Sequence, residues 1–423
     1  MDATVSKNRV LVGNVFFSPT SFGGATVIAE NMAIELKNNY GWDVIVVTTI
    51  DDPALPTYCV RRYSTYGIDI IGIKVPEFHF DKVGSWHNEQ FNRVFGHVLD
   101  LVKPDIAHIH CIQNMGATCL QEIKSRRIPL VTTVHDCWWI CERQFMINSM
   151  GHYCHQEKID LNICRHCVAD ITMTRRRFRT LTNVLQESDL LLFPSKFHRD
   201  LHVANGIPSD KCIVNKNGVK PPSPDFFKKR KVEGEFIRFG FVGGPGPIKG
   251  SILINKALNE IELTNYELKV VDAGQTRSET WANDPTWDVP GKVSFIPPYT
   301  QENMDDFFSE IDVLLFPSQW KESFGLTVRE AMIRGVWTIV TDAGGLTEDC
   351  IDGQNSTVIP LSQDHSYLRE AIENILENGL NEVKEVSHIS VISDQAKQLN
   401  SILSKAFTNQ VESVNYIEDL ECL

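Results

Sequence analysis

Two carboxylates, Glu322 and Glu330, stand eight residues apart in PSQWKESFGLTVREAMIRGVWTIVTDAGGLTE, the segment from Pro317 to Glu348. Glu322 falls in a predicted strand-to-helix turn, and Glu330 on the helix that follows. At about 1.5 Å per helical residue the two would lie on the order of 10 Å apart, a span that suits opposite ends of a nucleotide-sugar. Between them, Phe324, Gly325 and Leu326 open the helix, where free N–H groups and the positive end of the dipole can hold a pyrophosphate. A carboxylate accepts hydroxyl hydrogen bonds, so Glu330 suits a ribose and Glu322 a sugar. The plainer alternative is a surface helix whose glutamates favour its N-terminal dipole.

A second cluster is HDCWWICERQFMINSMGHYCHQEKIDLNICRHC, from His135 to Cys167. Five of the 11 cysteines, Cys137, Cys141, Cys154, Cys164 and Cys167, fall within it. Cys164 and Cys167 have the C-x-x-C spacing of a structural zinc knuckle, and Cys141 with Cys154 would complete four thiolates. Reduced cysteines with no metal are the competing reading, and His152, His155 and His166 are alternative ligands. An odd cysteine count and a reducing compartment argue against a disulfide framework. Trp138, Trp139 and Phe145 could stack on sugar faces or form the segment's own small core.

These residues need a scaffold, and the sequence describes one. At 423 residues, with 42% hydrophobic and 22% charged residues, the chain reads as two globular domains. Short apolar runs alternate with helical patterns: Val10–Phe17, Val44–Thr49, Ile106–His110, Leu130–His135 and Leu190–Ser195 in the first half. They restart at Phe236–Gly244, Tyr266–Gly274, Lys292–Pro298, Asp312–Ser318 and Trp337–Asp342. Such runs predict α/β architecture, two Rossmann-like doubly wound parallel sheets facing a central cleft. Ligands in such sheets sit beyond the carboxyl ends of the strands. The expected organisation is an N-terminal domain over 1–222 with a Cys-rich insert near 137–167, and a linker over 223–235. A C-terminal domain over 236–390 and a helical tail over 391–423 packing back on the first domain complete it.

A net charge of -13 argues against a nucleic-acid partner. Two basic clusters stand apart from that balance, Arg175, Arg176, Arg177 and Arg179, and Lys228, Lys229, Arg230 and Lys231. Each reads as a solvated face or as a patch for a membrane surface. The opening residues lack the pattern of a signal peptide, and no window approaches a membrane span. The expected location is cytoplasmic, with any membrane contact peripheral and at the inner face.

Glu322 and Glu330 followed by EAM, and Gly344, Gly345 and Glu348 as GG-x-x-E, resemble the retaining glycosyltransferases of family 4, which adopt the GT-B fold. The resemblance extends to Gly23 and Gly24, His110, the pair His135 and Asp136, Asn217 to Val219, and Lys249 with Gly250. It implies transfer of a sugar from a nucleotide-sugar donor to a glycan or lipid-linked acceptor with retention, in polysaccharide assembly and without a catalytic cofactor. Gly23 and Gly24 would approach the donor phosphates, Lys249 would neutralise the diphosphate, and His135 would contact the sugar near its reactive carbon. Glu322 would bind sugar hydroxyls, Glu330 the ribose, and Ile296 would offer backbone groups to the base. One departure stands out: GGPGPIKG, from Gly243, lacks the arginine that many members place there, leaving Arg329 or another cation to replace it, or Lys249 to act with backbone amides alone. Nucleotide-sugar epimerisation, or nucleotide-sugar binding without catalysis, are the alternatives that keep this fold.

Overall fold

The computed structural model describes residues 8–21, 23–76, 83–227, 236–272, 287, 289–380, 383–384, 386 and 388–421, with side chains up to residue 408. The basic run at 228–231 lies outside them. The chain divides into two compact units: Met1–Met146 with His155–Gly218 and Ile392–Leu423, and Val219–Val391 with Ile147–Cys154.

The first unit is built on a sheet of β1 (Arg9–Gly13), β2 (Asp43–Ile50), β3 (Val60–Thr65), β4 (Ile68–Lys74), β5 (Ile106–Ile109), β6 (Leu130–Thr133), β7 (Leu190–Phe193) and β8 (Cys212–Val214). Their order is β3-β4-β2-β1-β5-β6-β7-β8, parallel throughout except for β3 against β4. That hairpin is absent from the sequence reading. Its turn, Tyr66-Gly67, holds both residues at positive φ, 53° and 67°, the backbone of a two-residue hairpin. The edge strand β3 carries Arg61 and Arg62 exposed, which blunts pairing with other chains. β1 also ends earlier than its apolar run suggests. Asn14 turns the chain: its Oδ1 accepts Cys111 N–H at 3.0 Å, and its Nδ2 donates to Phe16 C=O at 2.6 Å.

In the second unit β9 (Ile237–Val242), β10 (Tyr266–Val271), β11 (Lys292–Ile296), β12 (Val313–Phe316), β13 (Trp337–Thr341) and β14 (Ser356–Ile359) form a parallel sheet ordered β11-β10-β9-β12-β13-β14. Its central strands are apolar on both faces because both are covered. Phe239, Phe241, Leu268, Leu315 and Ile339 pack with the helices Ser251–Asn259 and Ser366–Asn378 on one side. Leu314, Phe316 and Val340 pack with Met304–Ser309 and Leu326–Met332 on the other. Alternation along a strand sends neighbouring residues to opposite cores.

The helix Ile392–Glu421 belongs to the first unit. It packs along the helix Gly24–Tyr40, where Trp42 Nε1 donates to Asn400 Oδ1 at 2.8 Å. Gln395 Oε1 accepts Gly218 N–H at 2.8 Å. Among the described residues no helix is long and apolar enough to cross a membrane.

Candidate active site

Both sheets reverse strand order at a point that matters for chemistry, because loops diverge there and leave a crevice. In the second unit the reversal lies between β9 and β12, and the two loops leaving these strands carry Lys249 and Glu322. Glycines let the first loop fold down onto the second. A Cβ at Gly250, whose φ is +84°, would collide with the Pro317 carbonyl, and one at Gly243 would lie 2.8 Å from Lys249 Cβ. Gln319 N–H donates to Ile248 C=O at 2.8 Å and ties the loops together.

The side chains meet in that junction. Lys249 Nζ donates to Glu322 Oε1 at 2.7 Å, and Ser318 Oγ donates to the same oxygen at 2.8 Å. Glu322 is 6% exposed. The ammonium lies 5.4 Å from the ring centres of both Phe316 and Trp320. Glu322 is fixed through its backbone as well, its N–H donating to Ala343 C=O and its C=O accepting Gly345 N–H, both at 2.9 Å. The GG-x-x-E segment therefore acts as the strut for Glu322. Its loop does hold structural partners for this carboxylate, which sequence reasoning did not foresee.

Arg329 is not the missing phosphate cation. It is 1% exposed and bonded through Nε to Asp349 Oδ2 at 2.6 Å. Its other nitrogens donate to the carbonyls of Phe324 and Gly325, and to Gly345 C=O at 2.9 Å. Because N–H and C=O of one peptide point in opposite directions, carbonyls turned toward Arg329 aim the amides of Gly325 and Leu326 the other way. Phe324 packs beneath the guanidinium, with 3.7 Å to its ring centre. Gly325, at φ +89°, caps the helix Leu326–Met332, and a Cβ there would strike Leu346.

Glu330 is also buried, and Gln301 Nε2 donates to it at 3.4 Å. Burial raises its pKa above the ordinary carboxylate range, against the pull of Gln301 and Arg334. Ile296 ends β11 with its carbonyl already accepting Asp272 N–H at 2.9 Å.

In the first unit the reversal falls between β1 and β5. After β1, Gly23 caps the helix Gly24–Tyr40 at φ 80° and ψ 163° with no side-chain cap. A Cβ there would meet nothing within 4 Å, so the backbone angle rather than crowding demands glycine. His110 follows β5 and His135 follows β6, with His110 Nδ1 and His135 Nε2 hydrogen-bonded at 2.9 Å. The His108 ring lies 4.2 Å from that of His110. Burial pulls His108 down to about 3 and His135 to about 4, and holds His110 well below its ordinary range. All three are neutral imidazoles at neutral pH. Asp136 serves the chain locally: Oδ1 caps Trp138 N–H at 2.8 Å, and Oδ2 accepts Gln144 Nε2 at 2.6 Å.

Residues 22–221 match the family model Glycosyltransferase Family 4, and residues 223–389 match Glycosyl transferases group 1. Both halves of the chain belong to glycosyltransferase families. This glycosyltransferase is 24% identical over 316 residues to the uncharacterized glycosyltransferase YqgM of Bacillus subtilis, covering 70% of this chain and 77% of that protein. A D-inositol 3-phosphate glycosyltransferase of Streptomyces bingchenggensis is 36% identical over 78 residues, only 18% of this chain and 17% of that protein's length. Among solved structures, Anabaena Alr3699/HepE in complex with UDP and glucose matches with a TM-score of 0.59 at 15% identity, over 97% of this chain and 100% of that one. The likeness shows the GT-B fold.

In the Cys-rich segment of the glycosyltransferase the structure decides between the two readings of its tryptophans, and beyond that segment it corrects the reading of one arginine. Trp138 and Trp139 are 2% and 3% exposed and pack edge to face at 5.1 Å, so they are core rather than stacking platforms. Arg177, counted with a solvated basic cluster, is 3% exposed, while Arg175, Arg176 and Arg179 face solvent. Cys141, Cys154, Cys164 and Cys167 are each partly buried. Cys167 N–H donates to Cys164 C=O at 2.8 Å across their turn. Among the described residues no group of three or more His, Cys, Asp or Glu is placed to hold a metal. The zinc expectation rests on ligand spacing alone.

Proposed function

We propose that this glycosyltransferase moves a sugar from a nucleoside-diphosphate sugar to a glycan or lipid-linked acceptor with retention of configuration, in polysaccharide assembly at the cytoplasmic face of a membrane. The observation that carries the reading is the Lys249–Glu322 pair at the strand reversal of the second sheet. HepE, of the same fold, is in complex with UDP and glucose, which supports a donor of this class.

An ammonium has three N–H donors, so Lys249 can keep Glu322 and still face a diphosphate. With Arg329 committed to Asp349, the remaining donors are the amides of Gly325 and Leu326 and those of the loop before Gly250. Fixed dipoles of this kind stabilise developing negative charge without reorganisation. The departing diphosphate needs charge stabilisation more than a proton, so no metal is invoked. The bond between the anomeric carbon and the diphosphate oxygen breaks, and the acceptor oxygen bonds to that carbon on the same face. The acceptor's proton passes to the departing phosphate oxygen. Glu322 accepts a sugar hydroxyl through its second oxygen, Glu330 accepts from the ribose, and the neutral His135 is a hydrogen-bonding group for the sugar.

The test is Glu322→Gln, which keeps the shape and the hydrogen bond from Ser318 but removes the charge facing Lys249. Transfer measured with UDP-, GDP- and ADP-sugars is expected to fall by about 100-fold or more, with the unfolding midpoint little changed. Turnover equal to wild type would remove Glu322 from the mechanism.

A further inference from the structure

The buried imidazoles of the first unit have ring protons that can be placed from their neighbours. His202 Nδ1 lies 2.9 Å from His198 C=O. A carbonyl only accepts, so the proton of this neutral ring is on Nδ1. The other nitrogen, Nε2, is buried and has no hydrogen-bond partner among the described residues, which makes it a bare acceptor. His198 repeats the pattern. Its ring bonds the backbone of Asp136 in the sense that favours a proton on the ring, so the backbone group is the carbonyl. Its Nε2 is again buried and without a partner, so the donor is Nδ1–H.

His110 and His135 face each other through Nδ1 and Nε2 at 2.9 Å. Both rings are neutral, so one of these two nitrogens carries hydrogen and the other accepts it. If His135 Nε2–H were the donor, His110 would hold its own proton on Nε2, which is buried with no partner among the described residues. The neighbouring ring, His108, 4.2 Å away, does not accept it. Its Nε2 is bonded to Thr133 Oγ1 at 2.8 Å, and its Nδ1 has no partner either. If His110 Nδ1–H is the donor, its buried Nε2 is a bare nitrogen, the state already required at His198 and His202. Of the two defects an orphaned buried N–H is the rarer in native interiors. The proton therefore belongs to His110 Nδ1, and His135, accepting at Nε2, carries its own on Nδ1. His135 is 9% exposed, more than any of the other four, and its Nδ1 is the polar edge that this network leaves open.

We propose that His110 is a positioning residue: it holds His135 in the Nδ1–H tautomer, so that the open edge of His135 donates to an oxygen of the transferred sugar instead of accepting from its hydroxyls. The tautomer is inferred from the protein interior alone. That the group it meets is a sugar rests on the function proposed above.

The experiment is long-range nitrogen–proton correlation NMR of the full chain, labelled at its histidine nitrogens and held at neutral pH, which distinguishes Nδ1–H from Nε2–H. His135→Gln assigns the signal. Two variants are measured beside wild type, with transfer from UDP-, GDP- and ADP-sugars as the second readout. His110→Asn puts an amide N–H where Nδ1–H stands, and His110→Leu keeps bulk but donates nothing. Wild type and His110→Asn are expected to show His135 as Nδ1–H, while the Nε2–H form grows in for His110→Leu. The kcat/KM should fall about tenfold or more in His110→Leu and stay within about threefold of wild type in His110→Asn. A merely structural role would produce equal losses in the two variants. The wild-type spectrum needs no variant to fold: Nε2–H at His135 there would overturn the proposal. So would wild-type turnover in His110→Leu, or equal losses in both variants. A wild type that transfers from no donor would instead count against the function proposed above, and its spectrum would still decide the tautomer.

Discussion

Lys249 couples two tasks that the sequence presents as separate. Seventy-three positions separate it from Glu322, and only the adjacency of β9 and β12 brings them into one hydrogen bond. No local pattern encodes that adjacency, which is why both residues were legible as candidates while their pairing was not. Lys249→Ala is expected to weaken nucleoside diphosphate binding by about 10- to 100-fold, the value of a charge-assisted hydrogen bond. Calorimetry reads this directly, and unchanged affinity would place the phosphates elsewhere. Arg329 carries a different expectation, because it holds carbonyls and Asp349 rather than a ligand. Arg329→Met leaves Asp349, 4% exposed, without its cation, and should cost about 3–5 kcal/mol of stability in urea. Replacing Asp349 with leucine in the same chain should recover much of that loss; a variant as stable as wild type would refute the structural role. The burial of Arg177 could have been read earlier. Thr174, Arg177, Leu181 and Val184 are all buried at helical spacing, and an arginine on that stripe is not part of a solvated face.

At the scale of elements, the carboxyl ends of β5 and β6 and the helix Lys196–Ala204 present histidines to the interior. His108, His110, His135, His198 and His202 are buried, and burial lowers every one, His202 to about 4 and His198 well below its usual range. The unfolded chain takes up protons on these groups below about pH 6.5 while the folded chain does not. Their contribution to stability is therefore complete above that value and lost as pH falls toward 4. Each contributes a slope of about 1.4 kcal/mol per pH unit across the window. Unfolding free energies from urea titrations at pH 7.5 and 5.5 should accordingly differ by several kcal/mol, the acidic sample being weaker and its midpoint lower. Equal midpoints would mean that the imidazoles are hydrated or paired. The buried parallel strands of both sheets were legible because uninterrupted apolar runs have few other homes. The hairpin of β3 and β4 was not, because its outer strand is polar and its turn contains Tyr66 in place of Asn or Asp. The helix Leu326–Met332 could be placed from the sequence, but not the buried guanidinium beneath its start.

At the scale of the molecule, the first unit is discontinuous in sequence: residues 219–391 intervene before Ile392–Glu421 returns to it. Ala396, Leu399, Ile402 and Leu403 are buried on that helix, an apolar contribution of roughly 5–10 kcal/mol, comparable to the whole stability of a typical domain. A chain ending at residue 391 should therefore lose cooperative unfolding of its first unit and bind a dye for exposed apolar surface. Supplying residues 392–423 as a separate peptide should reverse part of this, and a truncated chain that unfolds like the full one would contradict it. A ribosome making this protein faces the same geometry as a matter of time. Roughly 170 residues must be translated after the first unit's last strand before its closing helix exists, on the order of 10–35 s at ordinary elongation rates. Throughout that interval the groove along Gly24–Tyr40 is open, so the nascent chain is a client for chaperones that shield apolar surface, and the second unit, whose segments Ile147–Cys154 and Val219–Val391 both precede residue 392, is the first that can finish folding.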